Sequence, residues 1–269
     1  MTMTAKRIIL KITLSSIRSL AAAAALALPL GAHAQGPQSG SVQVGSASIA
    51  YRVQGHGPAI MLVHGYPLSG ELFAKNRAAL SRRYTVVTPD LRGFRGSTTP
   101  DSKGGVELYA KDMLAVMDHL HVRKAIIGGM SMGGPVVFEM YREAPQRFRG
   151  MIPILMPQML TTTTRMGDPA LIKFVSGIIK KVSVNAAVAG GDTLANRPDS
   201  RPTLAHVRVP VLIVEGADDP LYPVELQKMM RASRPGTKLA IIPGAAHAAI
   251  IEKPEACNRA IESFAAGIR

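Results

Sequence analysis

The stretch AIIGGMSMGGPVVFE, residues 125–139, runs from a short apolar segment through Gly129-Met130-Ser131-Met132-Gly133 into a pattern that reads as a helix. Gly129 and Gly133 carry no Cβ, so the chain can turn sharply between strand and helix and project the Ser131 hydroxyl from the end of a sheet. In a chain with 25 glycines such a pattern arises by chance often enough that its meaning rests on partners elsewhere.

Upstream, Pro58 to Val63 is a continuous apolar run that stops at His64-Gly65-Tyr66-Pro67, as a parallel strand buried on both faces and ending in a functional loop would. Before it, Ser41 to Gln54 alternates apolar and polar residues around Gly45, which predicts a hairpin at the sheet edge. Between that strand and the serine turn the pattern predicts a helix over Glu71 to Arg83, a strand over Tyr84 to Thr88, a loop over Pro89 to Pro100 and an amphipathic helix over Val106 to Leu120. Downstream, Met132 to Glu143 reads as a helix and Phe148 to Leu155 as a strand. This rhythm predicts an α/β fold, a mostly parallel sheet with helices on both faces.

The rhythm breaks after the sixth strand. Residues 156–207 carry apolar helical spacing without a strand signal, including Asp168-Pro169 as the N-cap and first position of a helix to about Val182, and a short helix over Ser183 to Leu194. This reads as a helical cap inserted into a core formed by residues 35–155 and 208–269. Met156, Met159, Leu160, Met166, Leu171, Phe174, Val175, Ile178 and Ile179 either line an apolar pocket or form the cap's own core. Regular order resumes with a strand over Val209 to Glu215, a helix over Val224 to Arg234, a strand over Thr237 to Pro243 and a helix over Pro254 to Ala266.

A serine hydroxyl is a poor nucleophile until a base, usually histidine, takes its proton and a carboxylate orients that base. Both partners stand just beyond predicted strands: Asp218 and Asp219 after Val209 to Glu215, and His247 after Thr237 to Pro243. Open α/β sheets gather their sites along this carboxyl edge.

The segments His64 to Gly70, Asp90-Leu91-Arg92-Gly93-Phe94, Gly129 to Gly134, Gly216 to Pro223, and His247 with Glu252 to Glu255 together resemble the α/β-hydrolase fold superfamily. The likeness is to its serine-nucleophile esterase and cofactor-free haloperoxidase group. The resemblance implies a triad of Ser131, Asp219 and His247, with Asp219 preferred over Asp218 by the spacing Gly216-x-x-Asp219-x-x-x-Pro223. It also implies backbone oxyanion donors at Tyr66 and Met132, with His64 and Gly65 organising the oxyanion loop. The serine separates the chain from relatives that use an aspartate nucleophile. One departure is Arg95-Gly96, where the family places glycine first, which leaves that loop's geometry open.

The implied activity is hydrolysis of carboxylic esters or related acyl compounds through an acyl-enzyme, without cofactor or metal. The alternatives are perhydrolysis of the cofactor-free haloperoxidase type and, in another class, a non-catalytic small-ligand receptor. The expected partner is a small, apolar acyl substrate.

Residues 1–34 read as a secretory signal peptide: Lys6, Arg7, Lys11 and Arg18 precede the apolar Leu20 to Leu30, which closes on Ala32-His33-Ala34. Cleavage after Ala34 predicts a periplasmic or secreted protein with no stable membrane span. The remaining chain carries 28 basic and 18 acidic residues, +10. Its basic residues are scattered and not interleaved with aromatics, which argues against a nucleic-acid groove. Cys257 is the one cysteine, so no intrachain disulfide can form, and it is expected to be buried in the last helix. His119 and His121, two residues apart, read as a polar helix end and not as metal ligands.

Overall fold

The computed structural model describes residues 36–100, 103–154, 160–219 and 224–268. The leader expected over residues 1–34, together with Met156, Met159 and the run Pro220 to Pro223, lies outside them. Among the described residues no helix is long and apolar enough to cross a membrane.

The chain opens with the hairpin β1 (Gln38–Val44) and β2 (Ala47–Gln54), turning at Gly45 with φ of 60°. Then come β3 (Ala59–Val63), a 3-10 turn (Gly70–Phe73), α1 (Ala74–Leu80), β4 (Thr85–Pro89), α2 (Val106–His119), β5 (Ala125–Met130), α3 (Gly133–Glu143) and β6 (Phe148–Ile154). Four helices follow β6: α4 (Thr162–Gly167), α5 (Pro169–Ile179), α6 (Val184–Ala195) and α7 (Arg201–His206). The chain closes with β7 (Leu212–Gly216), α8 (Val224–Ser233), β8 (Lys238–Ile242), α9 (Ala249–Glu252) and α10 (Pro254–Ala266).

The eight strands form one sheet in the order β1-β2-β4-β3-β5-β6-β7-β8. β2 pairs antiparallel with both β1 and β4, and every pair from β4 through β3 to β8 is parallel. The mostly parallel sheet flanked by helices is therefore present as expected. The apolar runs are continuous because successive residues serve opposite faces, each covered by helices. In β3, Met61 and Val63 join one core layer with Val116 of α2 and Val137 of α3, while Ile60 and Leu62 join the other with Cys257, Ile261 and Phe264 of α10. Cys257 is fully buried, and burial pushes its thiol up to about 12, so it is an inert packing residue.

Differences from the expected elements have local causes. The helix expected over Glu71 to Arg83 is a 3-10 turn followed by α1. β7 begins at Leu212 instead of Val209, because Pro210 has no N–H for the ladder and only Val211 bridges to Met151. Asp168 caps α5 as expected, its Oδ1 accepting the Leu171 N–H at 2.8 Å, and the helix ends at Ile179. Of the apolar residues after β6, Leu160, Val175 and Ile178 are buried in the layer that holds Leu68, Leu72 and Phe73. Met166, by contrast, is 82% exposed. For those three, packing is the role the structure assigns.

Candidate active site

Ser131 has φ of 54°, one of three non-glycine residues with positive φ among the described residues. A left-handed conformation costs a non-glycine residue about 1–2 kcal/mol, so its surroundings must enforce it. Its N–H donates to Ile154 O at 2.7 Å, at the end of the neighbouring β6, and its carbonyl accepts the Gly134 N–H at 2.7 Å in the first turn of α3. Both flanking glycines are sterically required. A Cβ on Gly133 would sit 2.5 Å from Val63 O, and one on Gly129 would strike Gly133 O and approach Val137 Cγ2 to 2.8 Å. The packing of α3 against β3 and β5 thus holds the strained serine at the end of its strand.

The loop after β3 lies against this turn. A Cβ on Gly65 would come within 2.6 Å of Ser131 Cβ and 3.3 Å of Ser131 Oγ. His64 is fully buried with both ring nitrogens engaged. Nε2 accepts the Leu91 N–H at 2.9 Å, which leaves the proton on Nδ1 to be donated to Gly65 O at 2.9 Å. Burial pulls its pKa down, so the ring is neutral. It pins the loop after β3 to the loop after β4, and neither nitrogen is available for proton transfer. The Tyr66–Pro67 bond is cis. Met132 is the N-cap residue of α3, where backbone N–H groups lie outside the helix ladder.

The loop after β4 resolves the reversed glycine. Arg95 adopts φ of 44°, the left-handed conformation, although it is not glycine. Gly96 is packed so that a Cβ would lie 2.9 Å from Ala50 Cβ. Asp90, fully buried, organises the loop: Oδ1 accepts the Gly70 N–H at 2.8 Å, Oδ2 the Gly96 N–H at 3.2 Å, and Arg52 Nη1 stands 3.5 Å from Oδ2. Arg92 makes a bidentate pair with Asp112 of α2, at 2.9 and 2.6 Å. Phe94, held between these anchors, packs edge-on against the rings of His64 (5.4 Å) and Tyr66 (6.3 Å). Helix α6 closes over the same rings, since a Cβ on Gly190 would come within 2.9 Å of Tyr66 Cε2 and 3.0 Å of Phe94 Cζ.

The two strands at the far side of the sheet bring an acid to an imidazole. Asp219 Oδ2 lies 2.9 Å from His247 Nδ1, and both side chains are fully shielded from solvent. Asp218 is exposed, and its backbone N–H donates to Ala245 O at 3.0 Å. The two loops touch at Gly216, where a Cβ would run into the carbonyls of Ala245 and Ala246. Burial lowers the His247 pKa to about 4 against the raising influence of Asp219, so the imidazole is neutral at ordinary pH and able to take a proton.

Sequence reading overlooked Glu215. It is 1% exposed at the end of β7, on the face shared by the apolar Val211 and Ile213. Its ligand atoms, with those of Asp219 and His247, all lie within 4.8 Å of one another. Burial first, then contact with the Asp219 carboxylate, pushes its pKa up to about 10, and the Gly216 N–H only partly opposes this. The detectable signal was an acid at a position where a buried parallel strand alternates apolar residues. Among the described residues this trio is the one group of potential metal ligands drawn together. His119 closes α2 with its ring 5.8 Å from that of Tyr51, and His121 adopts φ of 54°.

A strained serine at a strand-to-helix turn, preceded by parallel strands and followed by an acid and a histidine after later strands, is the sequence and spatial order of one known fold. The family model of the alpha/beta hydrolase fold matches residues 58–197. The chain belongs to the alpha/beta hydrolase fold family. Among its relatives in this family is 3-oxoadipate enol-lactonase 2 of Acinetobacter baylyi, 25% identical over 77% of this chain and 88% of that protein. A putative non-heme chloroperoxidase of Synechocystis is 26% identical over 74% of this chain and 88% of its own length. Among solved alpha/beta hydrolase structures, a malate-bound thermophilic esterase from Thermogutta terrifontis superposes with a TM-score of 0.80 at 25% identity, covering 84% of this chain and 97% of that one. These relatives support hydrolase chemistry on a small molecule.

Proposed function

We propose that this protein is a serine hydrolase of carboxylic esters or closely related acyl compounds, working through an acyl-enzyme. The observation that carries the reading is the buried 2.9 Å contact between Asp219 and His247, held at the same carboxyl edge of the sheet as the positive-φ Ser131. Asp219 keeps the imidazole proton on Nδ1, which leaves Nε2 as the base. His247 accepts the Ser131 proton as Oγ bonds to the substrate carbonyl carbon, and the negative charge moves to the carbonyl oxygen. In this mechanism the N–H groups of Tyr66 and Met132 receive that charge. The tetrahedral adduct collapses, the alcohol leaves with the proton from His247, and the acyl group stays on Ser131. Water, deprotonated by the same base, then releases the acid. The chemistry needs no metal or cofactor.

The esterase and enol-lactonase relatives support this reading, and the second of them places cyclic esters within the substrate class to be tried. The segment from α4 to α7 acts in this reading as a cap over the site, because α6 packs on Tyr66 and Phe94. The leader at residues 1–34 sends the enzyme to the periplasm or out of the cell. The chloroperoxidase relative favours a second reading, in which peroxide replaces water on the acyl-enzyme and a peracid leaves.

Hydrolysis of p-nitrophenyl acetate and butyrate by wild type and by Ser131→Ala tests the first reading. Loss of at least about a thousandfold in kcat is expected. Equal rates for both proteins would remove it. Peracid formation from peroxide and acetate, measured on the same pair, decides the second.

A further inference from the structure

We propose that Glu215 is a positioning residue for the Asp219–His247 pair: a buried carboxylic acid that donates its proton to the Asp219 carboxylate, so that the two acids share a single negative charge. The proposal rests on the serine-hydrolase reading above for its catalytic consequence.

The geometry leaves Glu215 little choice. Its Oε1 accepts the Gly216 N–H at 3.2 Å, whereas Oε2 is buried and, among the described residues, has no N–H or hydroxyl directed at it. A carboxylate oxygen in that state is costly, since it has lost water and gained no donor. Two ionised carboxylates packed together would add Coulomb repulsion in a site that excludes water. A proton on the Glu215 carboxyl removes both problems, because it turns an acceptor into a donor for the Asp219 carboxylate, which has an oxygen within 4.8 Å of one of Glu215. The ionisation behaviour agrees, with Glu215 holding its proton far above the ordinary carboxylate range.

Glu215, and not Asp219, is the acid that carries this proton. Asp219 lies against an imidazole N–H that rewards its negative charge, while Glu215 gains only one backbone N–H. β6, β8, α8, α9 and α10 pack on β7. Among the described residues, the charge acting on Glu215 comes from Asp219 in the loop after β7, and His247 in the loop after β8 is the other titratable group in the cluster. The donated hydrogen bond fixes the rotation of the Asp219 carboxylate, which fixes the His247 ring in turn. Glu215 touches neither the substrate nor the nucleophile in this arrangement.

Two substitutions separate positioning from packing. Glu215→Gln keeps the length of the side chain and a donor for Asp219 but cannot ionise. Glu215→Leu keeps apolar volume and removes the donor, and replacing a buried ionisable group by a packed apolar one commonly preserves or raises stability. Kinetics with p-nitrophenyl butyrate on the full chain should place kcat of Glu215→Gln within about threefold of wild type. Glu215→Leu should lose about 10- to 100-fold in kcat, the scale of a misaligned catalytic pair, with KM within about twofold and a cooperative melt retained. A Leu variant as active as the Gln variant would overturn the proposal.

Infrared difference spectra at neutral pH provide a readout independent of turnover. A protonated-carboxyl C=O band should be present in wild type and in Ser131→Ala and absent from Glu215→Gln. Absence of that band from wild type would overturn the proposal even if every variant folds. Should Ser131→Ala hydrolyse the ester at the wild-type rate, the triad reading falls, and the band alone decides whether the two acids share a proton.

Discussion

Glu252 accepts the N–H of Ala246, the residue before His247, on Oε2 at 2.7 Å. Its other oxygen, Oε1, accepts the Thr161 N–H, also at 2.7 Å. One carboxylate therefore ties the loop of the proposed base to the first described residues after β6. Glu252→Ala would leave two partly buried N–H groups without an acceptor, a cost of about 1–3 kcal/mol each at full burial. The expected result is a lower urea midpoint together with a reduced kcat on p-nitrophenyl butyrate. An unchanged midpoint would show that the clamp contributes nothing.

Gly65 and Ser131 are in contact that tolerates no added atom. Gly65→Ala puts a Cβ 2.6 Å from Ser131 Cβ and 2.9 Å from Met130 O, so either the loop after β3 or the serine turn must move. Displacements of about 1 Å in such sites cost about a hundredfold in rate. Steady-state turnover, together with labelling by a serine-reactive fluorophosphonate, should show both activities falling in a protein that still folds. Undiminished labelling would mean that the loop yields without disturbing the nucleophile.

The pH dependence of stability follows from two buried groups shifted in opposite directions. His247 falls from an ordinary 6.5 to about 4, so between these values the unfolded chain binds the extra proton and stability drops as pH falls. Glu215 rises from 4.5 to about 10, so across that window the folded chain holds the extra proton and stability drops as pH rises. The two slopes oppose one another between about 4.5 and 6.5, which places a stability plateau there. Above about 6.5 the Glu215 slope continues without the opposing one, and from about 9 the buried Cys257 thiol, raised to about 12, adds to it. Urea midpoints measured against pH should flatten on the alkaline side in Glu215→Gln and on the acid side in His247→Gln. A Glu215→Gln curve parallel to wild type above neutrality would contradict the shift.

In the proposed mechanism the same lowered His247 pKa sets the acid limb of catalysis. The base is lost by protonation only as pH approaches about 4, so kcat/KM should be nearly flat from about pH 6 to 8 and fall on the acid side. A limb centred near the ordinary histidine value would indicate an imidazole in contact with water.

Arg95 and Gly96 give opposite expectations one residue apart. Arg95→Gly relieves a left-handed residue, worth about 1 kcal/mol, against loss of a 3.5 Å partly exposed pair with Glu71 worth about 0–1 kcal/mol. Its thermal midpoint should equal or exceed that of wild type. Gly96→Ala meets Ala50 Cβ at 2.9 Å and Asp90 Oδ2 at 3.2 Å, and should lower the midpoint. The reverse order of the two effects would refute the loop geometry.

The fold was legible where periodicity and chain chemistry agree. β3 and β5 announced themselves as apolar runs because both faces of the sheet are covered, and α5 was marked by Asp168-Pro169, whose capping geometry is local. The shorter helices α4, α7 and α9 were not legible, since four to six residues carry too little periodicity to stand out. The positions of Ser131, Asp219 and His247 at strand ends followed from counting strands. Glu215 escaped because its environment is made by distant residues: Asp219 and His247 arrive from two loops, and only their convergence gathers the acid near the end of β7 into a cluster. The structure of the reversed glycine pair was equally hidden. Nothing in the order Arg95-Gly96 states which of the two backbones takes the left-handed conformation.

The acid and the histidine are carried by β7 and β8, the last two strands made and the outermost two at one edge of the sheet. The serine turn, by contrast, is built on β5 in the middle of the sheet and is complete once β6 supplies the Ile154 carbonyl. In the proposed mechanism the serine turn has neither acid nor base until β7 and β8 are in place beside β6. In that mechanism, recovery of ester turnover during refolding would report the docking of that edge, which a signal from the sheet as a whole does not single out.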